Sequence, residues 1–433
     1  MLRKRVVIVS RLKVASDNRT FTLDKEHFFY LADTCWSAFT NIDFNEWRFY
    51  LEKRKQQGFN TLQVNILPQW DRSAKHNELL PFDIKDDGAF DYSTLNKLYF
   101  ENARKMCLLA KEYGFQLALV VLWSNYVPGT WASAIMDKNI IPISFLSTYF
   151  DIVNKTFNDM NPIYLISGDT DFEKEESIGY YDKALEFFNK VSPNTLKTLH
   201  IRGRLEEIPE ILVSKIDFYM YQSGHNSLFT NMPYYLAEVF YSKYPCKPIL
   251  NSEPCYEQMG YSRKVYGRFN DYDIRKAGWQ SVLSGGCAGL TYGAHGIWSW
   301  HTNDSTFFMG IGEAFDSPLL WQSALQLPGA FDYGMIKYLL EQNNLKNIIP
   351  KNNLVVNDTD EIRYATNDDK SSVVLYIPIN TNVKISENLS EYKFHLFDLE
   401  TKNILIPLIE FKKDSTLFKM HSCNKDIVII GQK

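Results

Sequence analysis

The feature that most constrains this chain is a repeated unit. A short apolar run is followed by a segment with helical periodicity, and a glycine then leads into the next apolar run. Residues 28–31 have strand character, and Phe44, Trp47 and Leu51 follow at helical spacing behind Asp43, a capping residue. Gly58 stops that helix, and residues 61–67 read as the next strand. The unit then recurs. Leu95, Leu98, Asn102, Met106, Leu109 and Tyr113 trace one helix face, Gly114 ends it, and residues 116–122 are again strand-like. Gly58-Phe59 and Gly114-Phe115 are equivalent junctions, where the chain needs a left-handed turn that glycine adopts without strain.

Strand character returns at 163–166, 198–201, 217–221, 247–250 and 289–292, with helical patterns at 145–157, 180–188, 233–241 and 273–284. Eight strands alternating with helices predict an α/β architecture, a parallel sheet closed into a (β/α)8 TIM barrel over residues 1–350. Residues 1–20 are expected to add a hairpin. An open doubly wound sheet would want a glycine-rich phosphate loop after its first strand. The nearest match, Gly310-Ile311-Gly312, lacks the third glycine and lies near the end of the series.

Beyond residue 350 the texture changes. Asn and Asp punctuate short β-type runs at 354–356, 373–377, 394–397, 404–408 and 427–430, and no helical period survives. This predicts a smaller C-terminal antiparallel β-sandwich domain over residues 351–433.

Composition excludes several function classes. Hydrophobic residues at 45% and charged residues at 23% are ordinary globular usage, not that of a disordered chain. A net charge of −4 disfavours nucleic acid as a partner. No run approaches the roughly 20 apolar residues needed to span a membrane. The six cysteines form no Cys-x-x-Cys pair, and the basic start lacks a signal-length apolar segment, so a reducing, cytoplasmic setting is expected. The oligomeric state is not fixed by the sequence. Aromatic residues reach 15%, which supplies flat platforms with polar edges, suited to a carbohydrate.

In a barrel, reactive groups sit past the C-terminal ends of the strands. The first strand is followed by Asp33 and Trp36, the second by Asn65 and then Gln69, Trp70 and Asp71, the third by Trp123 and Trp131. Asp169 follows the fourth, Gln222 and His225 the sixth, Glu253 and Tyr256 the seventh, His295 and Trp298 the eighth. Asp169 and Glu253 each come directly after an apolar run. Two carboxyls facing each other are what glycosidic bond cleavage requires, with tryptophans stacking on sugar rings and Asn, Gln and His bonding hydroxyls. Asp171 and Glu173 compete with Asp169 on position, and Glu257 with Glu253. Asp33 and Trp36 read equally as locks of the first loop, His225 and His295 as satisfied structural histidines, and Trp298 as packing of the barrel mouth. The signatures HExxH, GxSxG and the Walker loop are absent from the sequence, and neither a metal nor an organic cofactor is expected.

Five ordered segments resemble one family. They are Phe29-Tyr-Leu-Ala-Asp-Thr-Cys-Trp36, Gln57-Gly-Phe-Asn-Thr-Leu-Gln63, Ser167-Gly-Asp169, Pro248-Ile-Leu-Asn-Ser-Glu-Pro-Cys-Tyr-Glu257 and Tyr292-Gly-Ala-His-Gly-Ile-Trp298. They are similar to the apiosidase-like bacterial glycoside hydrolases, whose (β/α)8 domain often carries a C-terminal β domain of the collagen-binding type. The resemblance implies Asp169 as acid/base and Glu253 as nucleophile of a retaining hydrolase acting on plant-type pectic or hemicellulosic oligosaccharides. Family members commonly show Gly-Gly-Asp where this chain has Ser-Gly-Asp, and Asp-Gly-Glu-Pro where it has Asn-Ser-Glu-Pro. Both departures spare the carboxylates. A non-catalytic sugar-binding protein on a degenerate barrel is the alternative, and an adhesion role for the C-terminal domain is a third.

Overall fold

The two Gly-Phe junctions are helix stops of the same kind. In the computed structural model, which describes residues 11–75, 78–262, 265–307 and 316–433, Gly58 has φ +90° and Gly114 φ +87°. Helix α1, Phe44–Gln56, starts at Asp43, whose side chain accepts the N–H groups of Asn45 and Glu46 while Glu46 bonds back to the Asp43 N–H. It ends where the Gly58 N–H donates to Lys55 O at 3.1 Å and the Phe59 N–H to Arg54 O at 3.1 Å. Helix α2, Lys97–Glu112, ends identically: Gly114 bonds Lys111 O at 2.9 Å and Phe115 bonds Ala110 O at 3.0 Å. These are Schellman turns, and each aims the chain into a barrel strand.

Eight parallel strands make the barrel: β1 Tyr30–Thr34, β2 Thr61–Asn65, β3 Gln116–Trp123, β4 Ile163–Gly168, β5 Lys197–Thr198, β6 Tyr219–Tyr221, β7 Ile249–Asn251 and β8 Gly289–Tyr292. Their order is β5-β4-β3-β2-β1-β8-β7-β6. A parallel bridge between His200 and Met220 joins the two ends and closes the ring. Each strand coincides with a predicted one within a few residues. Further helices include α3 Leu146–Phe157, α4 Glu175–Val191, α5 Glu210–Val213, α6 Met232–Lys243, α7 Asp271–Val282 and α8 Gly329–Gln342, with single turns at Ala38–Asn41 and Trp321–Ala324. Short α5 went unseen in the sequence, since four residues show no period, and so did α8, whose exposed Phe331 and Tyr338 blur its apolar stripe. Among the described residues no helix is long and apolar enough to cross a membrane.

Before the barrel, strands Leu12–Val14, Phe21–Leu23 and Glu26–Phe28 form an antiparallel meander. The expected hairpin thus involves residues 12–23, while Met1 to Ser10 lie outside the described residues, as does Gly310-Ile311-Gly312.

The C-terminal region holds a six-stranded antiparallel sheet, with strands β9 Ile348–Pro350, β10 Arg363–Asn367, β11 Ser372–Ile377, β13 Lys393–Asp398, β14 Ile404–Leu405 and β17 Ile427–Gln432. A three-stranded sheet of β12 Val383–Ile385, β15 Ile409–Lys412 and β16 Ser415–Phe418 completes it. Tyr364, Leu375, Ile385, Leu396, Phe418 and Ile429 share an apolar core between the two. Residues 354–356 do not form the strand read from the sequence. They lie at the end of the 3₁₀ turn Asn352–Leu354, with one bridge from Val355 to Ile385. The other face of the larger sheet is continuous with the barrel core through Val374, Tyr376, Val428 and Ile430. Trp279 of α7 stacks on Tyr376 at 6.2 Å. Beside it, buried Arg275 pairs with Asp271 (2.6 Å), Asp332 (3.0 Å) and Asp426 (2.9 Å). The β domain is therefore docked on the barrel through a seam that is apolar around Trp279 and Tyr376 and charge-paired around Arg275.

Candidate active site

Strand β4 ends in Gly168, and any side chain there would collide with Trp123: a Cβ would sit 2.2 Å from the indole ring. The missing side chain lets Trp123 lie over the strand end. Asp169 comes next with φ +48°, a left-handed conformation that costs a non-glycine residue about 1–2 kcal/mol. Two bonds hold it there. Its N–H donates to His200 Nδ1 at 3.0 Å, and its carbonyl accepts Trp131 Nε1–H at 2.6 Å. The side chain is thereby turned into the barrel mouth, where Asp169 lines a cavity of about 500 Å³.

Glu253 lines the same cavity and is 7% exposed. Its approach from β7 is fixed by Asn251, whose amide donates to Ser223 Oγ (2.9 Å) and Ser281 Oγ (3.0 Å), and by the Ser252 N–H on Tyr221 O (2.8 Å). Two histidines face the Glu253 carboxyl. His225 Nδ1 accepts the Tyr256 N–H (3.2 Å), so its proton sits on Nε2, which donates to Glu253 Oε1 at 2.7 Å. His200 Nδ1 is likewise occupied by the Asp169 N–H, so its Nε2–H points to Glu253 Oε2 from 3.3 Å, a contact too oblique for a full hydrogen bond.

These neighbours separate the two acids. Burial alone would push Glu253 up, but the donors His200 and His225 outweigh it and bring the group down to about 2. Asp169 is held well above the ordinary carboxylate range by burial, then by the negative Glu253 and Asp71, with Arg202 opposing. Asp71, also in the cavity wall, is pushed up to about 7 by burial, with Glu253 adding.

Of the predicted site residues, Trp36, Trp123, Gln222, His225, Tyr256 and Trp298 line the cavity with the two carboxyls. Trp36 Nε1 donates to Tyr256 OH (3.0 Å), and Gly293 leaves the space the Tyr256 ring fills. Three residues are placed elsewhere. Asp33 is completely buried between Arg54 Nε (2.6 Å) and Tyr50 OH (2.7 Å) of α1, because its position in the strand pleat points it out of the barrel. Asn65 donates to Gln69 Oε1 at 2.8 Å and so supports a wall residue instead of forming the wall. His295 is the satisfied structural histidine: Nε2 donates to Asp316 O (3.0 Å), Nδ1 accepts Trp298 Nε1–H (3.1 Å), and burial lowers the ring to about 4. The positional rivals are also accounted for. Asp171 accepts the Trp131 N–H (3.0 Å) and pairs with Arg202 (3.2 Å), while Glu257 accepts Tyr292 OH (2.6 Å) and the Gly329 N–H (2.9 Å).

Sequence reasoning passed over His200 and Arg202. The residues after the fifth strand offered no carboxylate or tryptophan to draw attention. The available signal was a histidine inside an otherwise apolar strand. Ser167, one of the two departures from the family pattern, donates its hydroxyl to the His200 carbonyl at 2.9 Å.

The model of the apiosidase-like catalytic domain matches residues 15–347. The chain belongs to the apiosidase-like family. This apiosidase-like glycoside hydrolase is similar in structure to a glycoside hydrolase at 18% identity, TM-score 0.77, covering 98% of this chain and 97% of that one. It is similar to a glycoside hydrolase family 5 protein from Bacteroides vulgatus at 19% identity, TM-score 0.79, covering 98% and 93%. A maltogenic α-amylase from Thermotoga neapolitana shares the fold at 11% identity, TM-score 0.56, covering 93% and 98%. No curated protein matches the chain. At such identities these likenesses speak for the barrel and not for the sugar.

Proposed function

We propose that this apiosidase-like hydrolase is a retaining enzyme that cleaves a glycosidic bond in a pectic or hemicellulosic oligosaccharide, with Asp169 as acid/base and Glu253 as nucleophile. One observation carries the reading: two carboxyls share a single cavity, and their neighbours hold them in opposite protonation states. Glu253, ionised, attacks the anomeric carbon while Asp169 gives its proton to the departing oxygen. A glycosyl ester on Glu253 results. Asp169, now ionised, takes a proton from water, whose oxygen attacks the anomeric carbon and releases Glu253 as a carboxylate. Trp36, Trp123 and Trp298 supply faces for the sugar ring, and Gln222, His225 and Tyr256 supply polar contacts.

We further propose the division of the chain into a catalytic barrel up to about residue 350 and a β domain from 351. The unpaired state of all six cysteines supports work in a reducing compartment.

The test is a screen of pectic and hemicellulosic oligosaccharides, with NMR reading the anomer released first. Initial retention of configuration supports the assignment. Initial inversion replaces the nucleophile by a base, and sugar binding with no turnover favours a degenerate barrel.

A further inference from the structure

A third carboxyl faces the cavity and takes no part in the double displacement. Asp71 lies on the loop after β2, and that loop is pinned at many points by bonds that Asp71 does not make. Tyr126 OH donates to the Pro68 carbonyl, Arg72 Nη1 to Gln69 O (3.0 Å) and Asn41 Nδ2 to Ser73 O (2.6 Å), while Ala74 bridges Thr306. The carboxyl is therefore positioned by its surroundings. Its Oδ1 is nonetheless buried and has no hydrogen-bond partner. A bare buried acceptor is unfavourable, and a ligand that bonds to it relieves the cost.

Two neighbours in the same wall share this condition. Trp123 Nε1, a donor, and Gln222 Oε1, an acceptor, are buried without partners on side chains that line the cavity. One donor and two acceptors around one space match ring hydroxyls, which both give and accept. Asp71 shares the cavity wall with Glu253 and Asp169, the two carboxyls assigned to the chemistry.

We propose that Asp71 is a substrate-contacting carboxyl whose Oδ1 accepts a hydroxyl of the sugar ring that Glu253 attacks. This rests on the hydrolase reading above and deepens it. Hydroxyl contacts in glycoside cleavage tighten as the ring flattens toward the transition state, so the contact acts on kcat more than on KM.

The test compares wild type with Asp71→Asn on 4-nitrophenyl glycosides of arabinofuranose, xylose, mannose and apiose, and on the monodeoxy analogues of whichever is cleaved. Calorimetric titration with pectic and hemicellulosic oligosaccharides runs in parallel. Thermal melting checks folding, with Asp71→Ser as a second variant. The expected result is a loss of about 10²-fold in kcat/KM on the full glycoside, and almost none on the one analogue lacking the recognised hydroxyl. An equal loss across the deoxy series overturns the contact. So does a variant with unchanged rate at its optimum and only a displaced alkaline limb, since Asp71 would then act through Asp169 alone. Unfolding of both variants makes Asp71 structural and likewise overturns it. Wild type that cleaves while Asp71→Asn matches it throughout refutes this contact and spares the hydrolase reading. Wild type that binds without cleaving, with weaker binding in Asp71→Asn, does the reverse. A chain that neither binds nor cleaves refutes both.

Discussion

His200 Nε2 lies 3.3 Å from Glu253 Oε2, while the other nitrogen of that ring accepts the backbone N–H of Asp169 at 3.0 Å. One imidazole thus ties the two strand ends that carry the carboxyls. The Asp169 N–H forces the ring proton onto Nε2, where it favours an ionised Glu253. The backbone geometry of one acid and the charge of the other are set by a single side chain.

The pH profile follows from this arrangement. In the proposed mechanism turnover needs Glu253 ionised and Asp169 protonated, so kcat/KM should fall at low pH as Glu253 takes up a proton and at high pH as Asp169 loses one. With Glu253 at about 2, the wild-type acid limb lies far below neutrality. His225→Ala removes a donor and leaves the burial that raises the group, so the acid limb moves to higher pH. Measurement of kcat/KM against pH for both proteins checks the direction of that move.

Removing each carboxyl has its own signature. Asp169→Ala loses about 10²–10⁴-fold on oligosaccharides, and much less on 2,4-dinitrophenyl glycosides, whose leaving group needs no proton. Glu253→Ala has no detectable turnover until azide is added, which then yields a glycosyl azide of inverted configuration. Steady-state rates and NMR of the product read both.

Gly168→Ala drives a methyl into Trp123, where contact would fall to 2.2 Å. The indole and the Asp169 backbone must shift together, at about 1–3 kcal/mol. Expected is a lowered Tm with a larger fall in kcat/KM, read by calorimetry and kinetics on one preparation.

Gly114 offers a stability change remote from the cavity. Its φ of +87° strains any side chain, while the nearest atom to an added Cβ is only the flexible Lys55 Nζ at 3.1 Å. Gly114→Ala should lose about 1–2 kcal/mol in urea unfolding with kcat/KM unchanged.

The seam between barrel and β domain has a buried cation at its centre. Arg275→Ala leaves Asp426 buried without its cation and Asp332 with Lys402 alone, a loss of about 3–5 kcal/mol. Truncation at residue 350 uncovers the apolar seam around Trp279 as well, so the larger piece should be recovered mainly as aggregate, read by size-exclusion chromatography.

Much of the fold was legible because its signals are local. The Gly-Phe junctions, the Asp43 cap and the alternation of periods each depend on a few neighbouring residues. Elements with too little or too blurred a period were misjudged: α5 has four residues, the 14-residue α8 carries exposed Phe331 and Tyr338 that break its apolar stripe, and Leu354 to Val356 looked like a strand but makes a single bridge to Ile385. In the site, residues just past the strand ends were found, because strand direction decides where they point. Asp33 and His295 were misplaced for the same reason in reverse. A one-residue difference in the pleat, or a partner up to 21 residues away on the next helix or loop, turns a polar side chain from cavity to core.

The sequence by itself determined the barrel and the rim on which the two proposed acids lie, since hydrophobic period and strand ends are properties of contiguous residues. Only the tertiary structure decided that these acids differ in charge. That difference arises from His200, Asp71 and His225, which come from three separate loops and meet the carboxyls only once the ring of strands has closed.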